Sequence, residues 1–469
     1  MYLKPAMETW TSHLPEIFQS LVSPDYFIPD TYRLGTDAYL VPSPDRQDLL
    51  FSFPVVFRMP IIEEISLPLS ASAGAVQVII EHCKHSSQKD RTLGILSGVG
   101  TGNMSRYSVN IEPCTVASSV SALASHLWRP DDENVLCSQG ICLSIRGALP
   151  YLPLSSNNIA HVQSDIGSYL AALADCINKV PVRSIQRGWE TVLDQQHLRS
   201  ELTRMGLVCF IGDGTRPARL FTRHRSWHRV AGPKEGVHIP FYCPTELSPV
   251  EVMLAGSNQT VSGLGIKRGE IFAITGSNAE GKSTLLNAIQ AGVDDHAPGD
   301  GREVLVTVPG GFSPDASGIE LKGADLRPFF GGIPPGMSGS PDSVCGQGSG
   351  SASMAYRISD ALRREAPYIV IDEDRAAQNL MVPCYMSHSK IRSLAFLLAE
   401  DRTVFGDTSF IIAGSGMELL IAQADRILRL CQHQPYALSV PKYREGLYEF
   451  YEKMAGMVPK KSGERDVGK

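Results

Sequence analysis

The 469-residue chain has no run of about 18 uninterrupted apolar residues, the least that a membrane-spanning helix needs. Its first residues, MYLKPAMETW, lack a basic stretch followed by an apolar one, so no secretory leader is expected. Ten cysteines are spread from Cys83 to Cys431 without a CxxC. The closest pair, Cys137 and Cys142, fits neither a zinc ribbon nor a disulfide framework, and reduced, mostly buried thiols are the expectation. An excess of positive charge is missing too. The 43 Lys and Arg stand against 49 Asp and Glu, a formal charge of -6, which excludes a histone-like chain and leaves nucleic-acid contact to a local patch. With 43% hydrophobic and 20% charged residues the chain is not globally disordered. Its length suits two or three domains. The reading is a soluble, intracellular, cytoplasmic protein with no membrane partner.

The first 240 residues mix α and β signals: strand-like apolar runs at 49–57 and 75–80, and helical periodicity over 168–180 and 188–205. From residue 244 alternating apolar residues and a glycine-containing turn lead into a buried-type strand at 270–275. Residues 308–350 shift to Gly, Pro and Ser, a composition suited to loops over a ligand; an active-site insert is expected, with a disordered linker over 336–346 as the alternative. A helix over 353–365, a strand over 368–371, a helix over 389–400 and a strand over 409–413 follow. The tail beyond Val458 is polar and expected to fray.

The strand at 270–275 delivers the chain into Gly276-Ser277-Asn278-Ala279-Glu280-Gly281-Lys282-Ser283, which fits G-x-x-x-x-G-K-S/T and precedes the helical run STLLNAIQAG. In such a loop, backbone N–H groups curl around phosphate oxygens, and the helix start adds positive potential. Lys282 reaches the β and γ phosphates, the Ser283 hydroxyl ligates Mg2+, and Thr284 caps the site near the α phosphate. A chance match in a Gly-rich chain is the alternative, and the strand and helix on either side argue against it. Downstream, an apolar strand closes on Asp372, Glu373 and Asp374. That is where Asp372 would hold Mg2+ and Glu373 would orient or deprotonate a water, with Asp374 tuning the site. Acids merely solvated at a strand end are the plainer alternative. The two motifs in this order predict a nucleoside triphosphatase that uses ATP and Mg2+, with Lys282 and Glu373 catalytic. Ser349-Gly350-Ser351 opens the helix before the acidic strand, and a helix start attracts anions, although a Gly/Ser start is also an ordinary cap.

The order GSNAEGKSTLLNAIQAGVDDHAPGDGREVLVT, SGSAS, IVIDEDRAAQNLM and FIIAGSG resembles the predicted ATPase family of the ABC class, over about residues 202–430. The HAPGDGRE block that opens at His296 and contains Asp300 and Arg302 is far more specific to that family than the P-loop. The resemblance implies an α/β fold: a P-loop ABC-ATPase-like core over 241–435, a diverged mixed α/β N-terminal domain over 1–240 that contacts RNA, and a C-terminal extension over 436–469. It also implies a homodimer around two nucleotides, in which Ser349, Gly350 and Ser351 reach the γ phosphate held by a second subunit. The family includes kinetoplastid mitochondrial RNA-processing ATPases. Fungal arginine-containing cyclodipeptide synthases, which take aminoacyl groups from charged tRNA, are related to it. Synthesis from aminoacyl-tRNA is therefore a rival to ATP hydrolysis, and a nucleotide-locked scaffold without turnover is a third reading. There are departures. Ala352 and Met354 stand where the signature has Thr and Gln, and Lys322 is the one basic residue of GGFSPDASGIELKG; Gly414-Ser415-Gly416 stands where a switch histidine would follow the strand ending at Ala413, an absence shared with the family that argues for unusual hydrolysis rather than none. The first 200 residues match poorly.

Arg216, Arg219, Arg223, Arg225 and Arg229 are interleaved with Phe221, His224, Trp227 and His228. Guanidinium groups beside stackable rings suit the phosphates and unpaired bases of RNA; a solvated loop, or arginines paired with acids, is an equally open alternative. His82-Cys83-Lys84-His85 lacks a second pair of metal ligands and is read as a surface turn.

Overall fold

The computed structural model describes residues 8–42, 46, 48–60, 68–87, 93, 132–218, 239–296, 298–385 and 391–458. The N-terminal half contains α1 (Leu14–Ser20), β1 (Tyr26–Phe27), β2 (Tyr39–Pro42), β3 (Asp48–Arg58), α2 (Ala73–Ser87), β4 (Val135–Cys137), β5 (Gly140–Pro150), α3 (Ser156–Asn178) and α4 (Val182–Arg204). Strands β3 and β5 pair antiparallel along their full length, from Asp48 opposite Pro150 to Arg58 opposite Gly140. The sheet runs β1-β3-β5-β4, with β2 also on β3. Its apolar face is covered by helices: Val76, Ile79, Leu170, Leu173, Trp189 and Val192 share one core with Phe51, Phe53, Ile141 and Leu143.

Residues 75–80, expected as a strand, are part of helix α2. The buried positions are Ala75, Val76, Ile79, Ile80 and Cys83. A helix aligns that spacing on one face, whereas a strand would split it between two. The His82 to His85 run lies on this helix as well, not in a turn. Helix α2 crosses α4 at two glycines. A Cβ on Gly74 would stand 1.9 Å from Gly188 O, and one on Gly188 would stand 2.5 Å from Gly74 O.

The C-terminal half follows with β6 (Leu207–Gly212), β7 (Val250–Met253), β8 (Thr260–Lys267), β9 (Ile271–Gly276), α5 (Lys282–Ala291), β10 (Leu305–Thr307), β11 (Glu320–Ala324), β12 (Ser338–Ser340), β13 (Ser343–Gln347) and α6 (Gly350–Arg363). Then come β14 (Tyr368–Asp372), α7 (Gln378–Met381), α8 (Leu394–Glu400), β15 (Ser409–Ala413), α9 (Glu418–Ile421), β16 (Arg426–Cys431), β17 (Gln434–Leu438) and α10 (Val440–Gly456). The main sheet is ordered β14-β15-β9-β16-β17, parallel except for β17 at its edge. Strands β9, β14 and β15, buried on both faces over most of their length, read as continuous apolar runs. On one face Leu285, Leu286 and Ile289 of α5 pack with Phe210 and Ile266 from a second, antiparallel sheet, β10-β6-β8-β7. On the other, Ala355, Ile358, Leu397 and Leu420 from α6, α8 and α9 meet Ile369, Ile371 and Ile412. Strand β6 lies before residue 241 yet is hydrogen-bonded to β8 and β10 of this half.

Residues 308–350, expected as loops, contain a three-stranded antiparallel sheet ordered β11-β13-β12. The linker alternative over 336–346 gives way to the β12–β13 hairpin. Here glycine permits pairing: at Gly339 (φ 106°) a Cβ would stand 2.1 Å from Ser343 O, so only a residue without one lets the strands close. The helix expected over 353–365 begins at Gly350, and the one expected over 389–400 begins at Leu394, capped by the extended Ser393. The tail 459–469 lies outside the described residues. Among the described residues no helix is long and apolar enough to cross a membrane.

The glycine crossing makes a stability prediction. Gly188→Ala forces α2 and α4 apart and is expected to cost about 1–3 kcal/mol, lowering the denaturant midpoint. Gly446→Ala on α10, where a Cβ meets nothing within 4 Å, is expected to leave the midpoint unchanged or raise it. Equal midpoints for wild type and Gly188→Ala would contradict the close crossing.

Candidate nucleotide site

Strand β9 ends at Gly276 (φ 145°), where a Cβ would strike Leu430 O at 2.4 Å. The absence of a side chain lets the chain bend against β16 before α5 begins. The bend passes Ala279 (φ 64°) and Gly281 (φ 95°) in left-handed conformations. That conformation costs a residue with a Cβ about 1–2 kcal/mol, and such strain collects at functional sites. Helix α5 starts without a side-chain cap, so its first N–H groups keep their hydrogen-bonding capacity at the positive end of the helix dipole. Lys282 Nζ donates to Gly276 O and Ser277 O, both at 2.8 Å, which holds the ammonium over the bend. Glu280 Oε2 accepts from His433 N at 3.1 Å. That bond ties the bend to the tight turn between β16 and β17, where Gln432 (φ 49°) and His433 (φ 63°) are both left-handed.

The parallel sheet brings the acids to the same place. Asp372 pairs beside Ala413, and Ala413 beside Ile274, just before the bend. Burial pushes the Asp372 carboxyl above its ordinary value and the carboxylates of Asp374 and Glu373 add to the rise, while the Asp374 N–H at 3.4 Å and Arg375 oppose it. A half-buried carboxylate raised in this way is chemically suited to a cation.

Glu373 is held by backbone. Its Oε2 accepts from Ser415 N at 2.5 Å and Ser415 Oγ at 3.4 Å, and its Oε1 from Gly416 N at 2.9 Å. A Cβ would stand 2.9 Å from Oε2 at Gly414 and 2.5 Å from Oε1 at Gly416, so the carboxylate sits where only glycines let the chain come near. A carboxylate offers about four lone-pair sites; with Oε2 doubly engaged, Oε1 keeps one for a further donor such as water. The cradle made by Gly414, Ser415 and Gly416 was not evident from residue types. Its one sequence signal is a pair of glycines around a serine straight after a buried strand, a mark of close backbone approach.

Residues 278–284, Asp372, Glu373, Asp374, Gly414 and Ser415 line one cavity of about 500 Å³, within the range of small-ligand pockets. Gly276 and Ser277 contribute the carbonyls that hold Lys282. Ser349, Gly350 and Ser351 do not line it. Ser349 caps α6 by accepting from Ala352 N at 3.4 Å, and Ser351 is turned inward, its Oγ donating to Asn379 Oδ1 at 2.6 Å. Arg216 is exposed, and its backbone N–H donates to Gly301 O at 2.6 Å. Arg219, Arg223, Arg225, Trp227 and Arg229 lie outside the described residues.

The HAPGDGRE block links α4 to one wall of the cavity. Gln195 Nε2 donates to His296 O at 2.8 Å, and His296 N donates back to Gln195 Oε1 at 2.7 Å. His296 Nδ1 lies 2.5 Å from Asp300 Oδ2. Arg302, 1% exposed, donates from Nε and Nη2 to Pro217 O at 3.0 and 2.6 Å.

The chain belongs to the ATPases of the ABC class: the family's P-loop domain profile matches residues 181–463, and its N-terminal profile matches residues 21–184. The family match thus extends well beyond residues 202–430 and takes in the N-terminal half, where motifs alone matched poorly. An uncharacterised protein of Methanocaldococcus jannaschii is 37% identical over 419 residues, 89% of this chain and 91% of its own. Two solved structures are similar at lower levels. A nucleotide-free ATP-binding cassette from an ABC transporter is 16% identical with a TM-score of 0.27, covering 42% of this chain and 91% of the other. CbiO1 from Clostridium perfringens, part of the ABC transporter complex CbiONQ, is 14% identical with a TM-score of 0.31, covering 54% and 96%. Family membership makes the chain an ABC-class P-loop ATPase and implies nucleotide binding, generally with Mg2+.

The raised Asp372 carboxyl carries a pH signature. Its contribution to folding is fully present below the unfolded-state value and is lost as pH rises through the folded-state value. At pH 7 the buried anion is therefore a cost. Asp372→Asn is expected to raise the thermal midpoint of the ligand-free protein at pH 7, with the gain shrinking as pH falls into the range where Asp372 protonates. A midpoint lowered at pH 7 would contradict the assignment.

Proposed function

We propose that the chain hydrolyses ATP with Mg2+ in this cavity and that nucleotide occupancy controls its grip on RNA. The observation that carries the first part is convergence: a phosphate-type bend, Lys282, the Ser283 hydroxyl and the carboxylates of Asp372 and Glu373 share one cavity of about 500 Å³. In this reading the amides of the bend and Lys282 bind the β and γ phosphates, with Thr284 beside the α phosphate. Ser283 Oγ and Asp372 would hold Mg2+, a fit that rests on hard oxygen donors, one of them a half-buried carboxylate. A bound Mg2+ would neutralise phosphate charge. Glu373, fixed by the Ser415 and Gly416 amides, orients the attacking water or takes its proton through the free lone pair of Oε1. In a homodimer, the exposed Ser349 and neighbouring Gly350 of a second copy would complete the site, while Ser351 supports the helix start from inside.

The RNA part, with charged tRNA among the candidate partners, is supported by the arginine and aromatic cluster from Arg216 to Arg229 and by where its flanks lie. Ala218 and Ile239, the described residues on either side of 219–238, both line the cavity. An occupant of the cavity would therefore lie beside both ends of the segment that carries Arg219 to Arg229.

Lys282→Ala is expected to weaken ATP binding at least tenfold, and Glu373→Gln to retain binding while lowering turnover by about 10²–10⁴. Gly416→Ala should give a milder form of the Glu373→Gln behaviour, because its methyl displaces the same carboxylate. Calorimetry together with phosphate release reads both quantities, and an ATP affinity untouched by Lys282→Ala would sink the site. For RNA, the paired substitutions Arg223→Gln and Arg225→Gln should make the slope of log affinity against log salt shallower by about 1.4 for a single strand. RNA affinity that is the same with and without ATP would remove the coupling.

A further inference from the structure

Two thiols far from each other in sequence meet in the core of the N-terminal half. Cys83 lies on α2 and is fully buried, and Cys176 lies on α3 and is 5% exposed. Their side chains are hydrogen-bonded to each other across the two helices, and the Ser86 hydroxyl, one turn on from Cys83, bonds to the same Cys176 sulfur. The thiols are not joined by a disulfide. Both sit near helix ends, because α2 closes at Ser87 and α3 at Asn178. Terminal turns open more readily than helix interiors, which gives a small reagent a way in. The surroundings also set Cys176 apart. The hydrogen bond from Cys83, with help from Ser86 and the Lys179 charge, lowers its thiol to about 7, against burial and Asp175, which raise it. Burial instead pushes the thiols of Cys142 and Cys243 up to about 11 and that of Cys209 up to about 12. The thiolate is the form that attacks a disulfide, and a thiol that titrates near the ambient pH attacks best.

We propose that Cys83 and Cys176 form a redox modification site, a dithiol that a low-molecular-weight disulfide such as glutathione disulfide converts into a covalent link between α2 and α3. The Cys176 thiolate attacks one sulfur of the reagent; a new S–S bond forms, the reagent's own S–S bond breaks, and one glutathione leaves. Cys83, already in contact, then attacks the Cys176 sulfur and displaces the second glutathione. Two electrons pass from the protein to the reagent, and the protons of the two protein thiols end on the two glutathiones. The link closes 84–175 into a loop that contains β4 and β5. In the chain-entropy account, a long loop is where a cross-link restricts the unfolded chain most. Because α2 also crosses α4 at Gly74 and Gly188, the link ties α3 to that pair. The site does not depend on the nucleotide reading.

The test is native oxidation of the full chain with glutathione disulfide, without denaturant, followed by trapping of the remaining thiols with N-ethylmaleimide in denaturant and mass spectrometry of a non-reduced digest. Wild type should yield a peptide pair joined through Cys83 and Cys176. Its formation should slow about tenfold for each pH unit below the Cys176 value, as the thiolate fraction falls. The oxidised protein should unfold at a higher thermal midpoint than the reduced one, and dithiothreitol should reverse the rise. Cys83→Ser should stop at a mixed disulfide with one glutathione on Cys176, because a serine hydroxyl cannot displace it. Cys176→Ser should leave Cys83 a thiol over the same time. The wild-type arm stands whether or not either variant folds. Wild type in which Cys83 and Cys176 are both trapped while the exposed Cys345 and Cys384 carry glutathione would overturn the site. So would a joined peptide that forms only in denaturant, a joined product with a lower midpoint than the reduced protein, or a folded Cys83→Ser with no glutathione on Cys176.

Discussion

The parallel register of β14, β15 and β9 is the constraint on which the site depends. It sets Asp372 level with Ala413 and Ala413 level with Ile274, so the acids, the Gly414 turn and the phosphate-type bend leave the sheet together at the C-terminal ends of the three strands. A slip of one residue would turn every side chain of a strand to the opposite face. The strands are buried on both sides, by α5 and the antiparallel sheet on one face and by α6, α8 and α9 on the other. The hydrophobic core thus fixes the position of the polar groups, and the chemistry needs no side-chain scaffold of its own.

Backbone groups do most of the positioning. The carbonyls of Gly276 and Ser277 hold Lys282, the amides of Ser415 and Gly416 hold Glu373, and the carbonyl of Pro217 is held by Arg302. Hydrogen bonds with one charged partner contribute about 1.5–3 kcal/mol each, and those made by backbone add no rotamer entropy on the backbone side. The glycines at 276, 414 and 416 follow from this, because each marks a place where main chain lies closer to another group than a Cβ allows. After β15, Ser415 and Gly416 present two backbone amides to Glu373.

What the sequence revealed and what it concealed divide along the range of the interactions. The bend, its strand and helix, and the acidic strand end were legible because each is a local pattern with fixed spacing, and β9, β14 and β15 came within a residue of expectation. Residues 75–80 fit a strand as well as a helix because β-branched and small residues in a short window serve either a strand or a buried helix face, and only Cys83 and the crossing with α4 decide between them. The glycine content of 308–350 predicts loops, whereas at Gly339 glycine permits strands to touch. Ser351 belongs with the helix interior because Asn379, 28 positions on, accepts its hydroxyl. The roles of Ser415, Gly416 and Arg302 depend on partners 42, 43 and 85 positions away, beyond any motif.

The most direct measurement is the dependence of ATP affinity on Mg2+ in the full chain, in wild type and in Asp372→Asn. If the carboxylate and the bend act on one metal-bound nucleotide, Mg2+ strengthens ATP binding in wild type and that strengthening is largely lost in the variant. Identical Mg2+ dependence in the two proteins would contradict the account.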